Sequence, residues 1–342
     1  MSSKVNIKPR FNREKGSYRK FEEDEVAVAV AVDGKPGGAP VAKVSTSADV
    51  TDSSGPIAEW PVGLRNAITA QFETASNEKF ARKYLSAHGW PKGMQTTVLK
   101  SSQKIPIRFM IVDDSGSMGT TDGKRTVGTG AQTKVIDCTR WSEVTASLLF
   151  HAELAENMEA PTEFRLLNGS DPIIVGLSSD RSGDSIKFLK EVLAEPPGGK
   201  TPLCAQIAGV VTEITSIQDS LRSKGKRAAV IIFTDGLATD GDVAAALKPF
   251  EDLPVWVVIR LCTDEGEVLQ YWESVDKVLE LELDVLDDLV RDAQKIASTN
   301  PWLNYGESLH RLREFGSVFK ELDVINESRL TSEQMRAVVA TM

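Results

Sequence analysis

The 342-residue sequence predicts a doubly wound α/β fold, in which helices cover both faces of a mostly parallel sheet with one antiparallel edge strand. Three short and almost wholly apolar runs support this fold, at residues 105–112, 227–233 and 254–261. Such runs are typical of strands that are buried on both faces of a parallel sheet. Between them, apolar residues recur every three or four positions, which indicates amphipathic helices. Strands that alternate with helices in this way favour a parallel sheet.

The remaining elements of the predicted sheet domain follow in order along the chain. Apolar stripes predict helices over residues 134–156, 185–193, 203–224, 243–250, 268–278 and 285–297. The turn sequence Asn-Gly-Ser-Asp at residues 168–171 separates two short apolar runs, 164–167 and 172–175, and predicts the antiparallel hairpin. A last strand is expected over residues 279–283.

Composition divides the chain into four regions. Residues 1–57 begin with a basic stretch and continue with Gly, Pro and Ser bias, which predicts a disordered tail. Residues 58–103 are expected to form a helical extension that ends near the stop signal His-Gly-Trp-Pro at 88–91. The sheet domain spans residues 104–298, and residues 299–342 form a second helical extension that caps it.

Charge and cysteine content exclude several classes of protein. The net charge of −9 argues against a nucleic-acid-binding surface, which needs a basic face. Residues 26–32 are apolar but too short to span a bilayer, and no signal peptide is visible, so we expect an intracellular, cytoplasmic protein without membrane insertion. Three cysteines without a C-x-x-C pair favour small buried side chains over a zinc site or a disulfide framework.

Oxygen-bearing side chains follow two of the predicted strands. The pattern D-x-S-x-S, with Asp113, Ser115 and Ser117, comes directly after the first strand. Thr201 lies in Gly-Gly-Lys-Thr-Pro between two helices, and Asp235 lies in Thr-Asp-Gly after the next long strand. Carboxylate and hydroxyl oxygens are the ligands of hard cations such as Mg²⁺ and Mn²⁺. The ends of parallel strands are also where ligands of such sheets bind.

The order of these three motifs resembles the von Willebrand factor A (vWA) domain, a Rossmann-like fold with a metal-ion-dependent adhesion site. The resemblance covers residues 104–298. It implies that Ser115 and Ser117 bind the metal directly, and that Thr201 does so in one state and through water in another. It also implies that Asp113 and Asp235 act through bound waters. A Glu or Asp carboxylate of a partner protein would then fill the open position on the ion.

Residues near these motifs are candidates for contacting a partner. Asp122, Lys124 and Arg125 lie in the Gly- and Thr-rich segment 119–133, which directly follows the metal loop. That segment could equally be an insertion without a specific role. Lys200 stands beside Thr201 and could contact an acidic ligand or be an ordinary surface lysine. Asp114 is expected to point away from the metal. By analogy with relatives, helix 285–297 could move when ligand binds.

Sequence motifs give less support to a catalytic function. Gly199-Lys200-Thr201 resembles the end of a phosphate-binding loop, but Ala194 occupies the position where that loop needs glycine. His88, His151 and His310 do not lie in a motif with a nucleophile, so a hydrolase triad is not indicated. We therefore expect a binding module, an adaptor or a complex subunit, and not an enzyme. A scaffold with a vestigial metal site and a metal-dependent hydrolase remain as alternatives.

Overall fold

The computed structural model describes residues 60–342 except 75, 129–132, 170, 181, 264 and 318–319, together with residues 11–12 and 17–18. The chain divides into two units, Met1–Ile57 and Ala58–Met342. In the first unit, strand β1 (Phe11–Asn12) pairs antiparallel with strand β2 (Ser17–Tyr18). The rest of the predicted tail lies outside the described residues.

The strands of the second unit form a large sheet and a separate two-stranded ribbon. Within its described residues these strands are β3 (Ile107–Val112), β4 (Gly123–Val127), β5 (Lys134–Cys138), β6 (Thr162–Leu166), β7 (Ile173–Val175), β8 (Ala228–Thr234), β9 (Val255–Leu261) and β10 (Leu283–Leu286). Six of them follow the order β10-β9-β8-β3-β6-β7, whereas β4 and β5 pair with each other. β7 runs antiparallel to β6, and the other neighbours in the large sheet are parallel. The predicted doubly wound, mostly parallel sheet with an antiparallel edge strand is confirmed.

Helices cover both faces of this sheet. Those described are α1 (Val62–Gln71), α2 (Glu78–Ala87), α3 (Lys92–Lys104), α4 (Arg140–Met158), α5 (Asp184–Leu193), α6 (Leu203–Ser223), α7 (Val243–Leu247), α8 (Gly266–Val278), α9 (Leu289–Thr299), α10 (Glu307–Glu314), α11 (Lys320–Asp323) and α12 (Ser332–Ala340). Short 3-10 turns stand at Gly116–Gly119 and Lys248–Asp252. None of the helices in the described part of the chain is long and apolar enough to cross a membrane.

Two apolar cores lie on opposite faces of the sheet. Along β3, Met110 and Val112 contribute to the core beneath α2–α5 and α9–α12. Phe109 and Ile111 contribute to the core beneath α1 and α6–α8. This alternation follows from the two-residue period of a strand, and it explains why β3, β8 and β9 are mostly apolar on both faces.

The predicted helix over residues 134–156 is wrong at its start. Residues 134–138 form β5, and α4 begins only at Arg140. Thr139 has an extended backbone, and its hydroxyl accepts a hydrogen bond from the Ser142 N–H at 3.1 Å. This N-cap fixes the beginning of the helix, because a capping residue adopts a non-helical conformation.

Two further boundaries differ from the sequence prediction near the end of the sheet domain. The last strand is Leu283–Leu286 and not residues 279–283. The helix expected over residues 285–297 begins at Leu289, because the Asp288 carboxylate accepts hydrogen bonds from the Val290 and Arg291 N–H groups. At the other end of the domain, Pro91 does not end the helical region but precedes a third helix, α3.

The cysteines are less buried than the sequence predicts. All three are free, and only Cys262 is fully buried, whereas Cys138 and Cys204 are half-buried. Burial raises the pKa of the Cys262 thiol well above its usual value. Cys262 therefore behaves as a small apolar side chain, as the sequence predicts.

The carboxyl-terminal extension inserts charged side chains into the main unit. The buried Glu314 carboxylate of α10 accepts hydrogen bonds from Ser147 Oγ at 2.6 Å and from Arg260 Nε at 3.0 Å. His151 Nε2 lies 3.1 Å from the same carboxylate. Arg108 of β3 donates to the Phe315 carbonyl at 2.8 Å. Helix α10 is thus bound to both α4 and the sheet by polar contacts that exclude water.

Candidate divalent-metal site

The first part of the site is the loop that follows β3. The carboxylate of Asp113 is fully buried. Its Oδ1 accepts a hydrogen bond from the Ser115 N–H at 2.9 Å, and its Oδ2 accepts one from Thr234 Oγ1 at 2.9 Å. Since β3 and β8 are neighbours in the sheet, the ends of both strands fix the orientation of this carboxylate.

Two serine hydroxyls continue from this loop toward the next strand. Ser115 Oγ lies 3.0 Å from Ser117 Oγ, and Ser117 Oγ donates a hydrogen bond to Asp235 Oδ1 at 2.8 Å. Asp113 and Asp235 are buried, whereas Ser117 is exposed. The structure therefore brings four of the five predicted metal ligands together in one cluster with access to solvent.

The fifth predicted ligand lies on a loop that is attached to the first. The Gly116 N–H donates to the Gly199 carbonyl at 3.3 Å, and the Gly198 N–H donates to the Asp114 carbonyl at 2.7 Å. Thr201 is buried, and its N–H donates to Thr239 Oγ1 at 3.2 Å. These bonds bring the Thr201 loop against the D-x-S-x-S loop.

Asn168, which sequence reasoning assigned only to a turn, holds the Thr201 loop in place. Its side-chain Nδ2 donates to Asp114 Oδ1 and to the Lys200 carbonyl, both at 2.9 Å. Gly199 has a φ of +104°, and a Cβ there would lie 2.4 Å from Asn168 Oδ1. Glycine is therefore required at this position. Asp114 is buried, and its Oδ1 accepts hydrogen bonds from the Asn168 N–H and side-chain amide.

Arg140 is a residue of the site that sequence reasoning missed. Its NH1 donates to Asp235 Oδ2 at 2.9 Å, and its Nε and NH2 form a bidentate pair with Asp122 at 2.7 and 2.6 Å. NH2 also donates to Glu265 Oε1 at 2.8 Å. Burial lowers the pKa of Arg140, but its hydrogen bonds to the three carboxylates outweigh that effect and raise it above the usual value. No local pattern could reveal this, since Asp235 is 95 positions away along the chain.

The electrostatics of the cluster suit a hard cation. The pKa of Asp113 is raised mainly by burial and further by the negative charge of Asp235, although hydrogen bonds from Ser115 and Thr234 oppose the rise. Two buried carboxylates beside hydroxyl oxygens form a donor set of the kind that Mg²⁺ or Mn²⁺ prefers. Among the described residues, no group of three His, Cys, Asp or Glu could hold a metal ion. Metal binding here would depend on the hydroxyls.

The predicted partner-binding residues differ in their solvent exposure and in their contacts with other side chains. Asp122 is engaged by Arg140, as described above. Lys124 and Arg125 lie half-buried on β4, and Lys124 Nζ is 3.9 Å from Asp137. Lys200 is exposed beside Thr201. Of the four residues, Lys200 is therefore the most accessible from solvent.

The strand order, the antiparallel edge strand and the positions of the motifs at the strand ends are consistent with a vWA-like α/β fold. No protein-family model matches the chain, and no curated protein matches it.

The solved structures to which this chain is similar include the following two. The VWA domain of SpRpn10 has a TM-score of 0.33 and 16% identity, and the match covers 53% of this chain and 86% of that one. The conserved hypothetical protein BatB from Bacteroides thetaiotaomicron has a TM-score of 0.35 and 12% identity, with 61% and 98% covered. At such low similarity, a function has to be inferred from the geometry of the site.

Proposed function

We propose that this chain binds Mg²⁺ or Mn²⁺ through Asp113, Ser115, Ser117, Thr201 and Asp235, and that the bound ion receives a carboxylate from a partner protein. The observation that supports this most directly is the cluster Ser115 Oγ–Ser117 Oγ–Asp235 Oδ1, with separations of 3.0 and 2.8 Å. It joins oxygen atoms from two strand-end loops at the solvent-accessible edge of the sheet.

The donor set explains why an anionic ligand would be favoured. Hydroxyl oxygens are neutral, so an ion that they bind directly keeps most of its positive charge toward an incoming group. Asp113 and Asp235 would hold the ion chiefly through bound water, and their orientations are fixed by hydrogen bonds from Ser115, Thr234 and Ser117. The ion would supply a positive centre for a carboxylate.

This chemistry describes recognition, and no reaction is proposed. A protein of this kind would act as an intracellular adaptor or a complex subunit, with Lys200 beside the ion as a further contact for an acidic ligand. Asp122 stands directly before β4, and Lys124 and Arg125 lie on that strand, so these three side chains would be further contacts for the partner.

A metal-free scaffold is the second candidate, and Arg140 is the observation that favours it. The guanidinium already pairs with Asp235 Oδ2 at 2.9 Å. Because a buried carboxylate needs a compensating partner, Arg140 could replace the cation in part. In that case the loops would be held together by the protein alone.

Isothermal titration calorimetry distinguishes these two candidates. The full chain, freed of metal with EDTA and then exchanged into chelator-free buffer, is titrated with MgCl₂ and MnCl₂. We expect uptake by the intact protein and a loss of affinity of at least about tenfold in Ser117→Ala and Ser115→Ala, because each variant removes one direct ligand. Ser223→Ala is the matched control, since Ser223 is an exposed serine at the end of α6.

Two outcomes would contradict the proposal. If the intact protein takes up no metal ion at millimolar concentrations, the metal-free scaffold is the better-supported candidate function. Equal affinity of Ser117→Ala and the control would place the ion elsewhere. Partner recovery from an extract with and without EDTA then identifies ligands that depend on the ion.

A further inference from the structure

The ribbon of β4 and β5 follows the candidate metal loop, and one of its two edges is covered. On the β4 side, the Lys124 N–H donates to Glu143 Oε2 of α4 at 2.7 Å. A Cβ on Gly123 would lie 2.8 Å from backbone atoms of Thr139 and Arg140, so the strand packs directly against the start of α4. No further strand could add to this side without displacing α4.

The outer edge of β5 is open within the described part of the chain. β5 has β4 as its strand neighbour there, and residues 134–137 are all exposed. Val135 and Ile136 are 52% and 37% exposed, which is high for large apolar side chains in a strand. Exposed edges with apolar side chains are available for pairing with another chain.

The register shows which main-chain groups face outward. Lys124 pairs with Asp137 and Thr126 pairs with Val135 in the antiparallel ladder. Because the Lys124 N–H points to Glu143, away from β5, the pair Lys124–Asp137 does not exchange ladder hydrogen bonds. Pairs alternate along an antiparallel ladder, so Thr126–Val135 belongs to the same class. The N–H and C=O groups of Val135 and Asp137 therefore face the open edge.

The charge of the ribbon indicates what kind of strand would pair with it. β4 and β5 together carry Lys124, Arg125 and Lys134 against the single acid Asp137. This cationic ribbon stands out in a chain with a net charge of −9. Complementary charge favours an acidic partner.

We propose that the open edge of β5 takes up an extended, acidic segment of a partner protein as a third strand. This inference rests on the proposed function, because it supplies the carboxylate-bearing partner of the same site. The Asp122–Arg140–Asp235 contacts connect the base of the ribbon to the candidate metal site. A strand added to β5 would gain affinity from main-chain hydrogen bonds, and its acidic side chains would provide selectivity.

A proline variant tests the edge without disturbing the ribbon. Val135→Pro removes one outward N–H, and proline is tolerated on an edge strand whose N–H faces solvent. Val135→Thr is the matched control, because it keeps the N–H and the preference for a strand. Circular dichroism and thermal melting are used to check that both variants fold as the intact protein does.

The probe is a phage-displayed library of random dodecapeptides, selected on the full chain in MgCl₂. We expect enriched peptides to combine Asp or Glu with β-branched residues. Their affinity should fall at least about tenfold for Val135→Pro and stay within about threefold for Val135→Thr, as expected for loss of main-chain pairing.

Equal binding to Val135→Pro and the intact protein, or no enrichment over an unrelated protein, would overturn the edge proposal. Each peptide is also measured in EDTA, which separates the two hypotheses. Peptides sensitive to EDTA but not to Val135→Pro would refute the edge and spare the metal site. Peptides sensitive to Val135→Pro but not to EDTA would support the edge and count against the ion as the carboxylate receptor.

Discussion

Arg140→Gln is expected to destabilise the chain strongly, because it leaves a buried carboxylate without its cation. The side chains of Arg140 and Asp235 are only 4% and 1% exposed, and their atoms are 2.9 Å apart. Removing one partner of such a pair costs ~3–5 kcal/mol. The contacts with Asp122 and Glu265 are more exposed and add no more than ~1 kcal/mol each. Most of the lost free energy of unfolding should therefore come from the broken ion pair with Asp235.

Denaturation in guanidinium chloride measures this loss in the presence of EDTA. In a thermal melt, at ~2–4 °C per kcal/mol, the melting temperature should fall by roughly 6–20 °C. Arg140→Lys keeps the charge but cannot form the planar fork with Asp122, so an intermediate loss is expected. Arg329→Gln is the control, because Arg329 is exposed and its loss should cost less than ~0.5 kcal/mol.

Repeating the Arg140→Gln measurement in MgCl₂ tests whether a bound cation can replace the positive charge of Arg140 at the candidate metal site. A cation beside Asp235 would replace part of the missing positive charge, so the loss should be smaller in MgCl₂ than in EDTA. A loss below ~1 kcal/mol in EDTA would refute the argument that Asp235 depends on a buried partner. An equal loss in both buffers would refute the competition between Arg140 and a bound ion.

Two further predictions concern buried carboxylates elsewhere in the unit. Glu314→Gln should lower the free energy of unfolding in urea by ~1–3 kcal/mol, because Arg260 keeps Glu143 but loses one of its two buried carboxylate partners. A loss no larger than that of the exposed control Glu333→Gln would contradict this. Burial, followed by the charge of Glu163, raises the pKa of Glu213 to about 9. The folded state thus binds this proton more tightly than the unfolded state, so the stability it contributes is complete below the unfolded pKa of 4.5 and is lost as the pH rises toward 9. Urea denaturation across that range should show a decline that Glu213→Gln removes, and an unchanged decline in the variant would argue against the shift.

The sheet and much of the candidate site could be predicted because both follow from local patterns. An apolar run such as Ile107–Val112 is compatible with a strand buried on two faces. Parallel neighbours bring their carboxyl ends to one edge. For that reason Asp113 and Asp235, which directly follow β3 and β8, were expected to lie close together, and Thr234 Oγ1 at the end of β8 donates to Asp113.

The ribbon could not be predicted, because its side chains give a misleading pattern. Val135 and Cys138 are three residues apart and continue the apolar stripe of α4, which favours a helix. Their segment is instead a strand because it pairs with Gly123–Val127, a sequence that reads as a loop. Pairing between two segments is a tertiary effect that overrides the preference of either one.

Buried charges are the other feature that patterns along the chain do not reveal, and they extend the candidate site into the carboxyl-terminal extension. Glu314 of α10 pairs with Arg260 of β9, and the same guanidinium pairs with Glu143 of α4. Glu143 also accepts the Lys124 N–H of β4, at the base of the ribbon. Loss of Glu314 would therefore remove one buried partner of Arg260, whose other partner Glu143 also binds the ribbon. The extension therefore contributes buried contacts to the structure that carries the proposed binding edge.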